Sequence, residues 1–198
     1  MTKEQIERTE GPLLPHMEMT LVDKAGQVVP LNHKGEVWVR GYSVFTQYRG
    51  DKEKTAEVKT PDGWYKTGDI GVLDENGLLT ITGRIKDMII KDAENVHPAL
   101  VEEVLLAHRK VLDVKVFGVP DPGSVEEICA CIILKNGQTS DVKEMREYSK
   151  KNGLVAELCP GYFVFMDSFP KTSTGRKIDK KRTRALAMES LGLKDNME

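Results

Sequence analysis

The strongest constraint on the fold is a turn, Asn76-Gly77, between two runs in which apolar and polar residues alternate. Alternation with a period of two predicts strands that bury one face, and Asn-Gly favours a tight turn in which both residues have positive φ. We therefore expect an antiparallel hairpin with a type I′ turn over residues 71–83. Shorter alternating runs at 19–23 and 35–41 indicate that the whole first segment is rich in β-structure.

After Gly83 the pattern changes to a mixture of helices and strands. Pro98 precedes apolar residues at helical spacing, which favours a helix because proline is tolerated in the first turn. Two β-branched runs follow, at 111–119 and 127–135, and a polar helix is predicted to end at Gly153.

The last segment, 174–192, begins as a basic loop and becomes helical, with Leu186 predicted to face inward and Met188 as a second candidate. The sequence therefore predicts an α+β fold in two parts. A β-rich part covers residues 1–83, and a small α+β domain covers residues 84–198.

The composition excludes several classes of protein. The formal net charge of -2 argues against a general nucleic-acid binder, and no apolar run approaches the roughly 20 residues of a membrane span. Three cysteines without paired spacing favour a reducing compartment, mitochondrial or cytoplasmic, and no targeting signal is recognisable. The four histidines have no metal-ligand spacing, so we expect no metal site.

Three short motifs carry chemistry. The first, YKTGD at 65–69, places a carboxylate at a glycine turn, where Asp69 could accept hydrogen bonds from the two hydroxyls of a ribose. The second, GRIKD at 83–87, puts charged residues at the expected domain boundary. The third, PKTSTGRK at 170–177, presents cations that could stabilise charge on a phosphoryl oxygen. Each motif is weak alone, and the group in this order is much more specific.

In this order, and with GEVWVRGYSVFTQYRGDKEKTAE at 35–57 upstream, the motifs resemble the adenylate-forming superfamily of acyl-CoA synthetases, luciferases and peptide-synthetase adenylation domains. The nearest resemblance is to medium-chain or broad-specificity fatty acyl-CoA synthetases. It implies an ATP-dependent carboxylic acid:CoA ligase that forms acyl-AMP and then a thioester. The substrates and cofactors implied are ATP/AMP, Mg²⁺, CoA and a fatty or other carboxylic acid.

The resemblance also implies residue roles. Asp69 and Arg84 match the family residues that contact the ribose, and Asp87 matches the hinge about which the small domain rotates. The family's catalytic lysine directly follows a glycine, and here Arg176 occupies that place with Lys177 next. Either cation remains a candidate, with a slight preference for Lys177.

The chain departs from the family pattern in two places. Asp92-Ala93 replaces the usual glycine pair beside the tunnel for the thiol arm of CoA, which puts the thioester step in question. The family's phosphate loop, acyl pocket and Mg²⁺ site are not recognisable in this segment, so the chain resembles the C-terminal third of such an enzyme and is expected to be inactive alone. A non-catalytic binding or regulatory module with the same fold stays open. Nucleic-acid binding by the basic segment 171–184 is disfavoured, because no aromatic residues interleave its cations.

Overall fold

The computed structural model describes residues 2–3, 5, 9–92 and 94–194. Its internal contacts divide the chain into two compact units, Met1–Lys86 and Asp87–Glu198. The α+β fold class is confirmed, since both units contain sheets and helices. The domain division at residues 83 and 84 stays a prediction and falls slightly before the division of the contacts.

The first unit is built on a five-stranded antiparallel sheet with the strand order β1-β5-β4-β3-β2. Its buried residues include Leu21, Val37 and Leu78. The strands are β1 (Gly11–Pro12), β2 (Met17–Val22), β3 (Lys34–Gly41), β4 (Tyr65–Leu73) and β5 (Leu78–Arg84), and helix α1 (Lys52–Val58) lies between β3 and β4 in the chain.

The β4–β5 hairpin is confirmed, but the predicted turn type is wrong. The Gly77 N–H donates to the Asp74 carbonyl at 3.0 Å, and Gly77 has φ of 74° whereas Asn76 does not have positive φ. The connection is therefore a three-residue loop in which one glycine, and not an Asn-Gly pair, adopts the left-handed conformation. The Asp74 carboxylate accepts hydrogen bonds from the Asn76 and Leu78 N–H groups, which stabilises this longer loop.

The described residues of the second unit form a two-stranded hairpin, a three-stranded sheet and three α-helices. The strands of the hairpin are β6 (Ile89–Lys91) and β7 (Glu94–Val96), and the sheet has the order β10-β9-β8. The remaining elements are β8 (Val111–Asp121), β9 (Ser124–Leu134), β10 (Tyr162–Phe165), α2 (Pro98–Leu106), α3 (Val142–Lys151) and α4 (Lys180–Leu191).

Both faces of the three-stranded sheet are buried. Ile128, Ala130 and Ile132 belong to the core that also holds Val101 and Leu105 of α2. The alternate residues of β9, Cys129 and Cys131, belong to a second core beneath α4. The period-two alternation around Ala130 predicts that both cysteines share one buried face, and both are fully buried.

Three of the helix predictions can be compared directly. Pro98 is the first residue of α2, and α3 begins at an Asp141 cap and ends before Gly153, as expected. The prediction for α4 is wrong at Leu186, which is 41% exposed, and is confirmed at the second candidate, Met188, which faces the core with Ala187. The buried face of α4 is set by packing, because Ala187 and Met188 belong to the core that also holds Cys129 and Cys131.

Candidate functional site

Asp69 and Arg84 are brought together by the pairing of β4 with β5. The two residues are partners across the strands, and the Arg84 Nε atom lies 2.7 Å from Asp69 Oδ1. A β-bulge after Ile70 shifts the register beyond this point. The bulge therefore makes Asp69 and Arg84 neighbours at the end of the hairpin furthest from its turn.

The backbone before Asp69 is held by side chains. The Thr67 hydroxyl donates to the Val37 carbonyl at 2.7 Å and accepts from the Asp69 N–H at 3.1 Å. The Gly68 N–H donates to the Glu36 carboxylate at 3.1 Å. These bonds compensate for the irregular pairing of β3 with β4 and fix the direction of the Asp69 side chain.

The Asp69 carboxylate keeps free hydrogen-bonding capacity. Its side chain is 25% exposed and that of Arg84 is 55% exposed. Among the residues that the structure describes, Arg84 is the one cation paired with this carboxylate, and their shortest contact is to Oδ1. Oδ2 and the terminal guanidinium nitrogens can therefore accept from and donate to a polar ligand such as a diol.

Tyr65 lies at the start of the same strand. Burial raises the pKa of its hydroxyl, and Tyr48 and the Asp69 carboxylate add to the shift. Its ring meets Phe45 edge to face, with centroids 5.2 Å apart. Tyr65 therefore stays neutral near Asp69, and sequence reasoning singled out the motif without assigning this residue a role.

Asp87 lies at the boundary between the two units and is bound within the second. It ends a short 3₁₀ turn, Ile85–Asp87, and its Oδ2 accepts from Lys180 Nζ at 2.6 Å. Lys180 is the first residue of α4. Sequence reasoning did not foresee this ion pair, because its partners are 93 positions apart.

Arg176 and Lys177 lie on a small irregular hairpin before α4, the 170–179 hairpin, which the Asp179 N–H closes by donating to the Pro170 carbonyl. The Gly175 N–H donates to the Thr172 carbonyl at 2.7 Å, and the Thr172 N–H donates to the Lys177 carbonyl at 2.8 Å. Ile178 packs into the core beneath α4, which anchors one end of the hairpin. Both cations are exposed, and neither forms a side-chain hydrogen bond or ion pair with any described residue.

The predicted site residues thus form two groups. Asp69 and Arg84 belong to the first unit, and Asp87, Arg176 and Lys177 belong to the second. Asp92 has a left-handed backbone, with φ of 48°, and Ala93 lies outside the described residues.

Other features of the structure concern metals, thiols and membranes. Within residues 2–3, 5, 9–92 and 94–194, no cluster of three or more His, Cys, Asp and Glu could hold a metal ion. Cys129, Cys131 and Cys159 are buried free thiols, and burial raises the pKa of Cys159. No helix in the described part of the chain is long and apolar enough to cross a membrane.

Comparison with known proteins gives a consistent assignment. The family model for the AMP-binding enzyme C-terminal domain matches residues 100–176. The medium-chain acyl-CoA ligase ACSF2, mitochondrial, of Danio rerio is 46% identical over 93% of this chain and 30% of its own length. The human protein of that name is 40% identical over 97% of this chain and 31% of its own length. The chain thus spans about a third of the length of these relatives.

Two solved structures also match most of this chain. The amide bond synthetase McbA from Marinactinospora thermotolerans superposes with a TM-score of 0.83 at 37% identity, covering 93% of this chain and 37% of that one. ATP-bound MatB from Rhodopseudomonas palustris gives 0.84 at 30% identity, covering 90% of this chain and 35% of that one.

Proposed function

Since the chain belongs to the adenylate-forming superfamily, whose C-terminal domain it carries, we propose that it contributes the C-terminal part of an ATP-dependent carboxylic acid:CoA ligase. In the first half-reaction a carboxylate oxygen attacks the α-phosphorus of ATP, which gives acyl-AMP and releases pyrophosphate. In the second, the CoA thiolate attacks the acyl carbon, and AMP leaves with the electrons of the broken acyl–phosphate bond. The relatives named medium-chain acyl-CoA ligases support a fatty acid as the acid, and their names support a mitochondrial location.

The Asp69–Arg84 pair is the observation that carries this proposal. A ribose offers two adjacent hydroxyls, and a partly exposed carboxylate beside a guanidinium provides both an acceptor and donors. Because the pair would bind the sugar and not the acyl chain, it would bind ATP in the first step and acyl-AMP in the second.

The exposed cations on the 170–179 hairpin would serve the adenylation step. Negative charge is shared between the attacking carboxylate and the α-phosphate, and an ammonium or guanidinium placed between them lowers the barrier. We assign this role to Lys177 in preference to Arg176, because a flexible lysine stem can adjust its depth whereas the guanidinium is a rigid fork.

Mg²⁺ is implied by reactions of this class, and the described residues contain no cluster of carboxylates suited to it. We therefore assign no residue of this chain to the metal. The chain's own residues would contribute ribose binding and an exposed cation.

The test joins this chain to the large-domain part of a relative and compares the joined protein with the chain alone. We expect the joined protein to release pyrophosphate from ATP with a medium-chain acid and to form acyl-CoA. The chain alone should do neither, and titration calorimetry with ATP·Mg²⁺ should detect no micromolar binding. A joined, folded protein that binds no nucleotide would favour the non-catalytic module instead.

The same assay identifies the molecule that accepts the acyl group in the second half-reaction. Similarity to an amide bond synthetase makes an amine the natural alternative to CoA, and Asp92 is an unusual residue for a loop beside the thiol arm of CoA. Consumption of acyl-AMP with an amine but not with CoA would retain the adenylation proposal and replace the second half-reaction.

A further inference from the structure

Two consecutive glutamates of β9 reach the β6–β7 hairpin. The Glu126 carboxylate accepts a hydrogen bond from the backbone N–H of Ile90, with Oε2 at 2.8 Å. The Glu127 carboxylate pairs with Lys91, whose Nζ lies 2.7 Å from Oε1. Since Ile90 and Lys91 are neighbours on β6, the two carboxylates bind adjacent points on one strand.

Lys91 is a charged residue of β6 whose side chain is largely buried. Its side chain is only 11% exposed, and that of Glu127 is 17% exposed. The alternation along β6 places Lys91 on the same buried side as Ile89, while Ile90 is exposed. A lysine this deeply buried requires a partner, and Glu127 together with the Cys159 carbonyl at 3.4 Å provides it.

Glycines make room for both carboxylates. A Cβ atom on Gly118 would lie 2.5 Å from Glu126 Oε1, and one on Gly161 would lie 2.5 Å from the Glu127 side chain. These distances are shorter than atoms can approach, so any other residue at either position would displace the glutamate. The arrangement therefore depends on Glu126 and Glu127 of β9, on Gly118 of β8 and on Gly161, which comes just before β10.

We infer that Glu126 and Glu127 are positioning residues that fix the β6–β7 hairpin, and with it the turn containing Asp92, against the three-stranded sheet. Resting on the proposed function, this assigns them to the second half-reaction, in which the hairpin would have to present a fixed surface to the thiol arm of CoA. They would act through Ile90 and Lys91 and would not touch the substrate.

Amide hydrogen exchange on the full chain tests the attachment directly. Glu126→Ala should raise the exchange rate of the Ile90 amide roughly tenfold or more, because a hydrogen bond to a charged acceptor is lost, and Glu126→Gln should raise it less. Glu127→Ala and Gly161→Ala should raise exchange across 89–96, the first by deleting the carboxylate and the second by displacing it.

Glu102→Ala provides a matched control. Glu102 also bonds a backbone amide with its carboxylate, that of Val116 at 2.9 Å, but it does not touch the hairpin. This variant should change exchange at Val116 and leave that of Ile90 as in the parent chain. Unchanged exchange at Ile90 in Glu126→Ala and across 89–96 in Glu127→Ala would overturn the inference.

A kinetic comparison in the joined protein separates positioning from a purely structural role. Glu126→Ala and Glu127→Ala should raise the KM for CoA and slow consumption of supplied acyl-AMP by about tenfold, with pyrophosphate release changed less than twofold. Equal loss of both half-reactions would reject the positioning role. A joined parent protein that forms no acyl-AMP would instead reject the proposed function, while the exchange measurements would still decide whether the glutamates hold the hairpin.

Discussion

Arg84 and Asp69 are direct partners across β5 and β4, and the Arg84 Nε atom lies 2.7 Å from Asp69 Oδ1. The Arg84 side chain is 55% exposed and that of Asp69 is 25% exposed. The pair is therefore an internal ion pair whose two side chains remain accessible to a ligand.

Removal of the Asp69 carboxylate should weaken nucleotide use. In the joined protein, Asp69→Ala should lower the rate of acyl-AMP formation by roughly tenfold to a hundredfold, because hydrogen bonds to a charged group contribute about 1.5–3 kcal/mol each. Pyrophosphate release measures the effect. Glu75→Ala removes an exposed carboxylate from the turn of the same hairpin and should leave the rate unchanged. Full activity of Asp69→Ala would mean that the ribose assignment is wrong.

The two cations of the 170–179 hairpin should differ in their effect on the half-reactions. Lys177→Ala should suppress adenylation by about a hundredfold or more while acyl transfer from supplied acyl-AMP stays nearly intact, because the charge it stabilises exists only in the first step. Lys181→Ala, which removes an exposed cation of α4, is the control. If Arg176→Ala shows this separation and Lys177→Ala does not, the role belongs to Arg176.

The Lys180–Asp87 ion pair should contribute little to stability. The Lys180 side chain is 58% exposed and that of Asp87 is 26% exposed, so solvent screens the attraction and we expect a coupling of about 0.2–1 kcal/mol. A double-mutant cycle of Asp87→Ala and Lys180→Ala, followed by urea unfolding, measures it. The coupling should decrease as salt is added, and a larger coupling that does not respond to salt would indicate a more buried pair than the structure contains.

His108 should make the second unit sensitive to mild acid. Burial lowers its pKa below the ordinary value of 6.5. The nearby Glu144 carboxylate opposes this shift, and the cations Lys110, Arg109 and Lys135 lower the pKa further. The unfolded chain therefore binds a proton more readily than the folded chain, so stability is greatest above pH 6.5 and decreases as the pH falls towards the lowered pKa. Circular dichroism can measure the urea unfolding midpoints of the parent chain and of His108→Gln between pH 5 and 7.5. The two midpoints should converge as the pH falls. Parallel curves would contradict the prediction.

The sequence by itself determined the local structure. Pro98 and the apolar spacing after it specified α2, and the alternation around Ala130 placed Cys129 and Cys131 together on one buried face. These features follow from interactions within a few residues, where the periods of helix and strand dominate. The same information misassigned Leu186, since the orientation of an amphipathic helix depends on the surface against which it packs.

The tertiary structure decided which charged groups meet. The bulge after Ile70 determines that Arg84 faces Asp69, and the packing of α4 brings Lys180 to Asp87 across 93 positions of chain. Glu126 and Glu127 of β9 contact a strand 36 positions away in the chain. The residues next to Lys91 in the sequence do not indicate that Glu127 is its partner. Such pairings depend on strand register and on the space left by glycines in other elements, and these are properties of the folded chain as a whole.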